Sequence, residues 1–357
     1  MNKVCIISPS LKLGGIERAL TGIANEMSHQ GTSVHFISCL AGEHFFSLSK
    51  EVKLVEPGFQ RKSGLFNKLL TYIKLVFFIR KNVGQSKPDA VLVYGDYFAP
   101  LVLFSLIGAK QRVFVSDRMS PKYNFPWHIR FAKRWLYPGA AGFIAQTTKA
   151  AEHKRRQFGE KVNLKVIPNS LNELKTVLPN RQKQVLCLAR LHYEKGLDRA
   201  IEAFALSGKK DWQLVLAGNG PEKENLENLS RKLGVHDQVV FAGEVKGIET
   251  LMAESSIFLL SSRSEGFPNA LCEAMATGMA CISFQSLNDP AIITRNGFDG
   301  LLAEDNNLYD LANNLKKLME DPKLRSELGQ NALKIKDRLN ASKLTKEIIK
   351  FILYDNH

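Results

Sequence analysis

The sequence predicts an α/β protein made of two similar halves, each a doubly wound domain with a parallel sheet. The chain has 357 residues, 45% hydrophobic and 24% charged, which is an ordinary globular composition at a length that suits two domains. Short apolar runs alternate with longer helix-like runs through both halves. The apolar runs are almost continuously hydrophobic, which is typical of parallel strands covered by helices on both faces.

In the N-terminal half, the alternation begins with a strand at Val4–Ser8 and a helix near Gly15–His29. Further strands are predicted at Val34–Ser38, Ala90–Tyr94, Arg112–Val115 and Gly142–Ala145. Residues 62–81 and 127–137 are predicted to form helices with a wide apolar face and a basic edge. Because helices must cover a doubly wound sheet, we expect most of these apolar side chains to pack in the core.

The C-terminal half repeats the alternation. Strands are predicted at Val185–Ala189, Gln213–Ala217, Val239–Phe241, Ile257–Leu260 and Ala280–Phe284, with helices at Leu197–Leu206 and Glu222–Leu233. Three amphipathic helices are expected beyond Asp321-Pro322, and the last of them, Ala341–Tyr354, is expected to return to the first domain. The predicted domains are residues 1–168 with about 340–357, and residues 169–339, joined by a linker near 168–180.

The positive charge of the chain is concentrated in its first half. Residues 1–170 contain 25 Lys and Arg against 10 Asp and Glu, a balance of +15, whereas residues 171–357 contain 24 against 25, a balance of −1. This asymmetry predicts an anionic partner for the N-terminal domain. A nucleic acid is not expected, because no nucleic-acid-binding module surrounds the basic runs.

Several classes of protein are disfavoured by what the sequence lacks. The start, MNKVCIISPS, leads directly into a strand and does not read as a secretory signal, and the longest apolar runs are too short to span a bilayer. The five cysteines, Cys5, Cys39, Cys187, Cys272 and Cys281, have no metal-ligand spacing. We therefore expect a cytoplasmic protein with reduced thiols.

The most informative motif is SSRSEGFPNALCEAMATG at residues 261–278. It places Glu265 in a loop after a strand and Glu273 inside the following helix. That helix begins at Pro268, and the N–H groups of Asn269, Ala270 and Leu271 are left for an anion such as a diphosphate. The alternative is a helix with a surface glutamate at each end.

Three other strand-to-helix turns carry candidate binding residues. Arg190 and Lys195 follow the first strand of the second half, at a helix start where cations are unfavourable unless an anion is bound. Asn219, in a Gly-Asn-Gly-Pro turn, is expected to line the same cleft. Gly15, in a glycine pair after the first strand, permits close approach of a phosphate or sugar. Plain solvated turns remain the alternative for each of them.

No Asp-x-Asp sequence occurs anywhere in the chain. A diphosphate held through a divalent metal needs carboxylates in that role, so no metal ligands are predicted. The two cations Arg190 and Lys195 would supply the positive charge instead.

Together these motifs resemble those of the GT-B glycosyltransferases in the large retaining group called family 4. The likeness covers most of the chain and rests on four segments: residues 14–17 (Gly-Gly-x-Glu), 190–196 (Arg-x4-Lys-Gly), 218–221 and 265–273 (Glu-x7-Glu). The resemblance implies two Rossmann-like domains facing across a cleft. The first domain would bind the acceptor and the second would bind a nucleotide-sugar donor.

The resemblance also implies roles for individual residues. Arg190 and Lys195 would bind the donor diphosphate, Glu273 the ribose, and Glu265 with Gly266 and Phe267 the donor sugar. Gly15 would lie near the diphosphate from the other domain. The family needs no metal and no cofactor, and it retains the anomeric configuration.

Within the family, the chain is similar to enzymes that add galactose or an N-acetylhexosamine from a UDP-sugar, many of them in capsule, O-antigen or lipid-linked oligosaccharide assembly. The resemblance therefore implies a UDP-sugar donor and a lipid-linked glycan acceptor, met by a peripheral protein at the cytoplasmic face of the inner membrane. The basic residues expected to face the acceptor or an anionic membrane are Lys68, Lys74, Arg118, Arg130, Lys133 and Arg134. A soluble acceptor, and a non-catalytic sugar-nucleotide-binding protein, are the alternatives.

One departure from the family concerns the strand that ends at Val115. Many members carry a histidine after it, where this chain has Asp117 and Arg118. The role of that histidine in contacting the donor sugar is not transferable. Arg118 is either a substitute for it or part of a structural salt bridge near Asp117.

Overall fold

The computed structural model describes residues 2–12, 14–42, 44–59, 64–121, 123–171, 180–245, 247–287, 289 and 292–355. The chain divides into two compact units, Met1–Ser170 with Asn340–His357 (unit 1) and Leu171–Leu339 (unit 2). Most of the linker predicted near 168–180 lies outside the described residues, because these leave out 172–179.

Unit 1 contains a seven-stranded sheet whose neighbouring strands are all parallel, in the order β3-β2-β1-β4-β5-β6-β7. Its strands are β1 (Lys3–Ser8), β2 (Ser33–Ser38), β3 (Lys53–Val55), β4 (Ala90–Tyr94), β5 (Arg112–Ser116), β6 (Gly142–Ala145) and β7 (Leu164–Val166). The helices between them are α1 (Gly15–His29), α2 (Leu65–Ser86), α3 (Ala99–Ser105), α4 (Trp127–Leu136) and α5 (Thr148–Phe158). Val91 and Val93 of β4 pack with Ile79 and Val83 of α2 in the core.

Unit 2 contains a six-stranded parallel sheet in the order β10-β9-β8-β11-β12-β13. Its strands are β8 (Gln182–Leu188), β9 (Gln213–Ala217), β10 (Val239–Gly243), β11 (Ser255–Leu260), β12 (Ala280–Phe284) and β13 (Leu301–Ala303). Its helices are α6 (Leu197–Ser207), α7 (Lys223–Lys232), α8 (Ile248–Glu254), α9 (Asn269–Ala276), α10 (Leu308–Glu320), α11 (Pro322–Ala332) and α12 (Ile335–Arg338). The predicted doubly wound α/β class is confirmed in both units.

The last helix, α13 (Ala341–Ile349), continues as a wider turn to Tyr354 and packs within unit 1. The side-chain amide of Gln30, the residue after α1, donates to the Ser342 carbonyl oxygen at 3.0 Å. The Arg112 guanidinium donates to the Ile352 carbonyl oxygen at 3.1 Å, and the Phe351 ring packs edge-on against Phe114. The final residues therefore pack against α1 and β5 of unit 1.

Each sheet has one point where the chain order reverses direction. In unit 1 this point lies between β1 and β4, and in unit 2 it lies between β8 and β11. Loops that leave the carboxyl ends of two such strands diverge to opposite sides and open a crevice, which is where doubly wound sheets bind their ligands.

Helices α2 and α4 correct the expectation that their apolar side chains are mostly core. Only a narrow stripe of α2 is buried, whereas Phe66 and Phe77 on it are 73% and 69% exposed. Helix α4 buries a single side chain, that of Lys133. Among the described residues, no helix combines the length and apolar character needed to cross a membrane.

Candidate active site

The reversal point of unit 2 brings together two residues singled out from the sequence. Lys195 follows β8 and Glu265 follows β11, and the Lys195 ammonium donates to both carboxylate oxygens of Glu265 at 2.7 and 2.8 Å. The Ser262 hydroxyl donates to the same carboxylate at 2.7 Å. Both side chains of the pair are largely buried, 23% and 13% exposed. Sequence reasoning gave the two residues separate partners, whereas the structure pairs them with each other.

A second ion pair joins the loop after β11 to the start of α6. The Arg263 guanidinium donates to both carboxylate oxygens of Asp198 on α6, at 2.8 and 2.5 Å, and stacks over the Tyr193 ring at 3.9 Å. Burial alone would raise the pKa of Asp198, but the hydrogen bonds from Arg263 outweigh it and lower that pKa. This pair was missed from the sequence, although Arg263 stands inside the motif; only the fold shows that Asp198 faces it.

Gly196 is required by the close approach of these loops. Its φ is +60°, in the left-handed region, and a Cβ at this position would lie 2.2 Å from the Ser261 carbonyl oxygen. A side chain would therefore push the loop after β8 away from the loop after β11. The glycine next to Lys195 is what lets its ammonium reach Glu265.

We expect Gly196→Ala to be much less stable than Gly208→Ala. Gly208 also has a left-handed φ of +68° but has open space around it, so alanine there costs about 1 kcal/mol. At Gly196 the clash adds roughly 1–3 kcal/mol by overpacking. Melting temperatures of the two variants check this. Equal melting temperatures would show that the loops can separate without cost.

The glycine turn around Asn219 supports the loop that carries Arg190. Gly218 and Gly220 lie so close that a Cβ on either would be 2.0 and 2.2 Å from the carbonyl oxygens of Ala189 and Leu191. The Leu191 N–H donates to the Asn219 carbonyl oxygen at 2.9 Å. The side chains of Asn219 and Arg190 are exposed, and in the described part of the chain the Arg190 guanidinium makes no ion pair or hydrogen bond.

Helix α9 presents its N-terminus beside the Glu265 loop. The helix starts at Asn269 after Pro268, and its first intrahelical bond runs from the Cys272 N–H to the Pro268 carbonyl oxygen at 3.2 Å. The N–H groups of Ala270 and Leu271 in this first turn precede that bond and have no acceptor within the helix. The Asn269 N–H was also predicted to be left for an anion, but it donates to the Phe267 carbonyl oxygen at 2.9 Å. Phe267 and Glu273 are buried, with Gly266 half-buried between Glu265 and Phe267. Glu265 therefore precedes α9 and Glu273 lies inside it, as the motif predicted.

The reversal point of unit 1 contains the predicted glycine loop. Gly15 is the first residue of α1, and the space where its Cβ would lie is open. Gly95, after β4, has a φ of +102° and lies close to the Ile16 side chain. The loops after β1 and β4 therefore meet at this point within unit 1.

A buried charge cluster follows β4 and β5. The Lys133 ammonium donates to Asp96 at 2.7 Å and to Asp117 at 2.9 Å, and Asp117 also accepts from the Tyr137 hydroxyl at 2.6 Å and from the Lys154 ammonium. Burial would raise the pKa of Asp117, but the two ammonium groups outweigh it and hold that pKa well below its usual range.

Lys133 therefore corrects the sequence-based prediction. It was placed among the basic residues facing an acceptor or a membrane, yet only 8% of its side chain is exposed and both carboxylates hold it inside unit 1. Lys68, Lys74, Arg130 and Arg134 are exposed.

Arg118 is held by an aromatic ring and an amide. Its guanidinium stacks over the Tyr94 ring at 3.4 Å and donates to the Asn169 side-chain oxygen, while its backbone N–H donates to Asp96 at 2.8 Å. Burial lowers its pKa. The predicted alternative, a structural salt bridge near Asp117, is not among the contacts of the described residues, because Asp96 accepts from the backbone N–H of Arg118 and not from its guanidinium.

Among the described residues, no group of three or more His, Cys, Asp and Glu side chains is arranged to hold a metal ion. All five cysteines are free and buried. Burial raises the pKa of the Cys5 thiol to about 12.

Two parallel-sheet units with loops meeting at both reversal points define a Rossmann-like α/β architecture. Residues 13–173 match the family Glycosyltransferase Family 4, and residues 171–335 match Glycosyl transferases group 1. The chain belongs to this glycosyltransferase family, and the family resemblance read from its motifs is confirmed.

Similar proteins span nearly the whole chain. An alpha-1,4-N-acetyl-D-galactosaminyltransferase of Campylobacter jejuni, whose named acceptor is an undecaprenol diphosphate glycan, is 28% identical over 99% of this chain and 98% of its own length. The lipopolysaccharide 1,6-galactosyltransferase of Salmonella typhimurium is 29% identical over 89% of each chain. The solved structure of the lipopolysaccharide outer core galactosyltransferase WaaB superposes with a TM-score of 0.79 at 19% identity, covering 100% of both chains. The GT-B fold is thereby confirmed.

Proposed function

We propose that this glycosyltransferase moves a hexose or N-acetylhexosamine from a UDP-sugar to a glycan on a lipid carrier, with retention of configuration and without a metal. The observation that carries the proposal is the Lys195–Glu265 pair, 2.7 Å apart at the reversal point of unit 2 and beside the N-terminus of α9. Cations, amide N–H groups and buried carboxylates in one crevice suit a diphosphate joined to two sugars.

In this proposal the cations and N–H groups of the site bind the diphosphate, and the carboxylates bind the two sugars. Arg190 and the N–H groups of Ala270 and Leu271 bind the diphosphate, and Lys195 lies between the diphosphate and Glu265. An ammonium has three N–H donors, and two are directed at Glu265, so one remains for a phosphate oxygen. Glu273 accepts from the ribose hydroxyls, and Glu265 accepts from the donor sugar.

The transfer step needs no protein nucleophile. The bond between the anomeric carbon and the β-phosphate oxygen breaks while the acceptor hydroxyl oxygen bonds to the same face of that carbon. The hydroxyl proton passes to the departing phosphate oxygen, and UDP leaves. Charge that develops on the phosphate is stabilised by Arg190, Lys195 and the amide dipoles.

A panel of nucleotide sugars tests the donor. UDP-sugars are expected to raise the melting temperature, because a ligand at a hundred times its dissociation constant adds about 2.7 kcal/mol. GDP- and ADP-sugars serve as matched controls. Stabilisation by one of these and not by any UDP-sugar would refute the UDP assignment.

The metal prediction is tested with a chelator. We expect EDTA to leave the rate of sugar transfer within about twofold, because fixed cations neutralise the diphosphate. A metal-dependent glycosyltransferase assayed beside it should lose its activity. A large loss restored by Mg²⁺ or Mn²⁺ would contradict the proposal.

A lipid-linked acceptor is supported by the relatives, since both the Campylobacter and the Salmonella enzymes are named for lipid-anchored glycans. The positive charge of residues 1–170 favours an anionic membrane surface at which such an acceptor is found, on the cytoplasmic side. Transfer of labelled sugar to an extracted lipid fraction tests this. Transfer only to water-soluble acceptors would oppose it, and UDP-sugar binding without transfer or hydrolysis would indicate a non-catalytic protein.

A further inference from the structure

Helix α4 has the burial pattern of an ordinary surface helix reversed, because its aromatic residues are exposed and its lysine is buried. Its aromatic residues Trp127, Phe131 and Trp135 recur every four positions and are 73%, 59% and 69% exposed. The side chain it buries is the charged Lys133, held by Asp96 and Asp117. A surface helix normally packs its aromatic stripe on its own domain. Here the ion pairs of Lys133 hold α4 on unit 1, and the aromatic stripe is left exposed for a partner.

Helix α2 has apolar residues on two opposite sides. Leu75, Ile79 and Val83 are buried against the sheet. Phe66, Ile73 and Phe77, spaced seven and four residues apart, lie on the opposite side and are exposed. Helix α3 packs against both α2 and α4 and adds the exposed Phe104. We call the exposed apolar residues of these three helices, with their basic neighbours, the aromatic–basic face.

The charge on this face selects its partner. Helices α2, α3 and α4 contain no Asp or Glu in their sequences, while Lys68, Lys74, Arg130 and Arg134 are exposed on them. A second copy of the chain would bring like charges together, which is unfavourable. Aromatic rings beside arginine and lysine are the pattern of a helix lying in a bilayer interface with anionic headgroups.

We propose that the aromatic–basic face inserts into an anionic bilayer. The rings of α2 and α4 lie at the boundary between headgroups and acyl chains, and the basic residues contact the lipid phosphates. This surface adds a membrane-binding site to the proposed function. It rests on that function only because a lipid-linked acceptor is the reason for the enzyme to bind a membrane. Insertion is more than electrostatic attraction, since the apolar rings hold the protein after salt has screened the charges.

Vesicle flotation tests the proposal. The probes are vesicles of equimolar phosphatidylethanolamine and phosphatidylglycerol, and vesicles of phosphatidylcholine alone. The variants are Phe131→Ser with Trp135→Ser, and Arg130→Gln with Arg134→Gln. Tyr309→Ser on α10 is the matched control, because Tyr309 is an aromatic residue of unit 2 that is also 73% exposed.

The aromatic double variant is expected to lose at least about tenfold in partitioning at both low and high salt. The arginine double variant should lose affinity for the anionic vesicles at low salt only, and Tyr309→Ser should bind like wild type. Wild type that binds neither vesicle, or an aromatic variant that floats like wild type, would overturn the proposal. So would a dimer in solution that the aromatic variant dissociates.

Failure of the membrane-insertion proposal is distinguishable from failure of the proposed function. Stabilisation by UDP should be unchanged in all these variants, because none of the substituted residues lies at the reversal point of unit 2. Loss of flotation with intact UDP binding therefore reports on the face, whereas absence of UDP binding in wild type reports on the donor site.

Discussion

Arg190→Ala and Lys195→Ala are each expected to lower kcat for sugar transfer by about a hundredfold, the usual cost of removing one group that stabilises charge in a transition state. Arg190 is exposed just after β8, so its guanidinium is accessible to a phosphate. Lys195 shares its charge with Glu265. The measurement is single-turnover transfer from the UDP-sugar at saturating donor, which separates the chemical step from binding.

The pairing of Lys195 with Glu265 makes their effects dependent on each other. Lys195→Ala leaves a largely buried carboxylate without its cation, so part of its effect comes from repulsion between Glu265 and the donor phosphates. We therefore expect Lys195→Ala with Glu265→Gln to lose less than the sum of the two single losses. Additive losses in this double-mutant cycle would show that the pair separates before the donor binds.

Lys183→Ala is the control for these variants. Lys183 is an exposed lysine on β8, the strand that precedes Arg190 and Lys195, and it pairs with Asp211 on the surface. Its removal should leave kcat unchanged. If Arg190→Ala and Lys195→Ala behaved like Lys183→Ala, the electrostatic role assigned to the crevice would be wrong.

The elements that sequence predicted best are those with continuous apolar patterns. Strands at Ala90–Tyr94, Gly142–Ala145, Gln213–Ala217 and Ala280–Phe284 have the predicted bounds. Edge strands β3, β7 and β13 were missed, because three residues are too few to show a pattern and their pairing is decided by the neighbouring strand. Lys165 in the middle of β7 further interrupts its apolar run.

The secondary structure around the motif was predictable from sequence, whereas the contacts of its side chains were not. The motif placed Glu265 and Glu273 correctly around a helix start, because loop and helix are adjacent in sequence. The Lys195–Glu265 and Arg263–Asp198 pairs join residues that are 70 and 65 positions apart. Such pairs depend on which strands become neighbours, and a single sequence does not specify that order.

Helix α4 shows where pattern reading fails for a physical reason. An aromatic stripe at helical spacing predicts burial, and a lysine predicts solvation. In α4 both expectations are reversed, since Lys133 is buried between two carboxylates while Trp127 is exposed. The outcome depends on Asp96 and Asp117, which come from other elements and are invisible to a periodicity argument.

The buried charge cluster gives the largest effect expected on stability. Asp117→Ala removes the partner of two lysine side chains that are each only 8% exposed, Lys133 and Lys154. Breaking a buried pair from one side costs about 3–5 kcal/mol, because the remaining charge is left without compensation. Lys133 keeps Asp96, so Lys154 carries most of this cost. The melting temperature of unit 1 measures it, with Asp211→Ala, which breaks an exposed pair, as the control.

A compensated variant separates charge from packing. Asp117→Leu with Lys154→Met removes an anion and a cation together and leaves the Lys133–Asp96 pair in place. Because apolar groups of similar size often replace a buried ion pair without loss, this variant should recover most of the stability that Asp117→Ala loses. If it stays as unstable as Asp117→Ala, the loss comes from the Tyr137 hydrogen bond or from the shape of the site rather than from an unpaired ammonium. Recovery would show that unit 1 tolerates the loss of this pair. Arg118, which is held beside Tyr94, can then be tested for a role in sugar transfer in a stable variant.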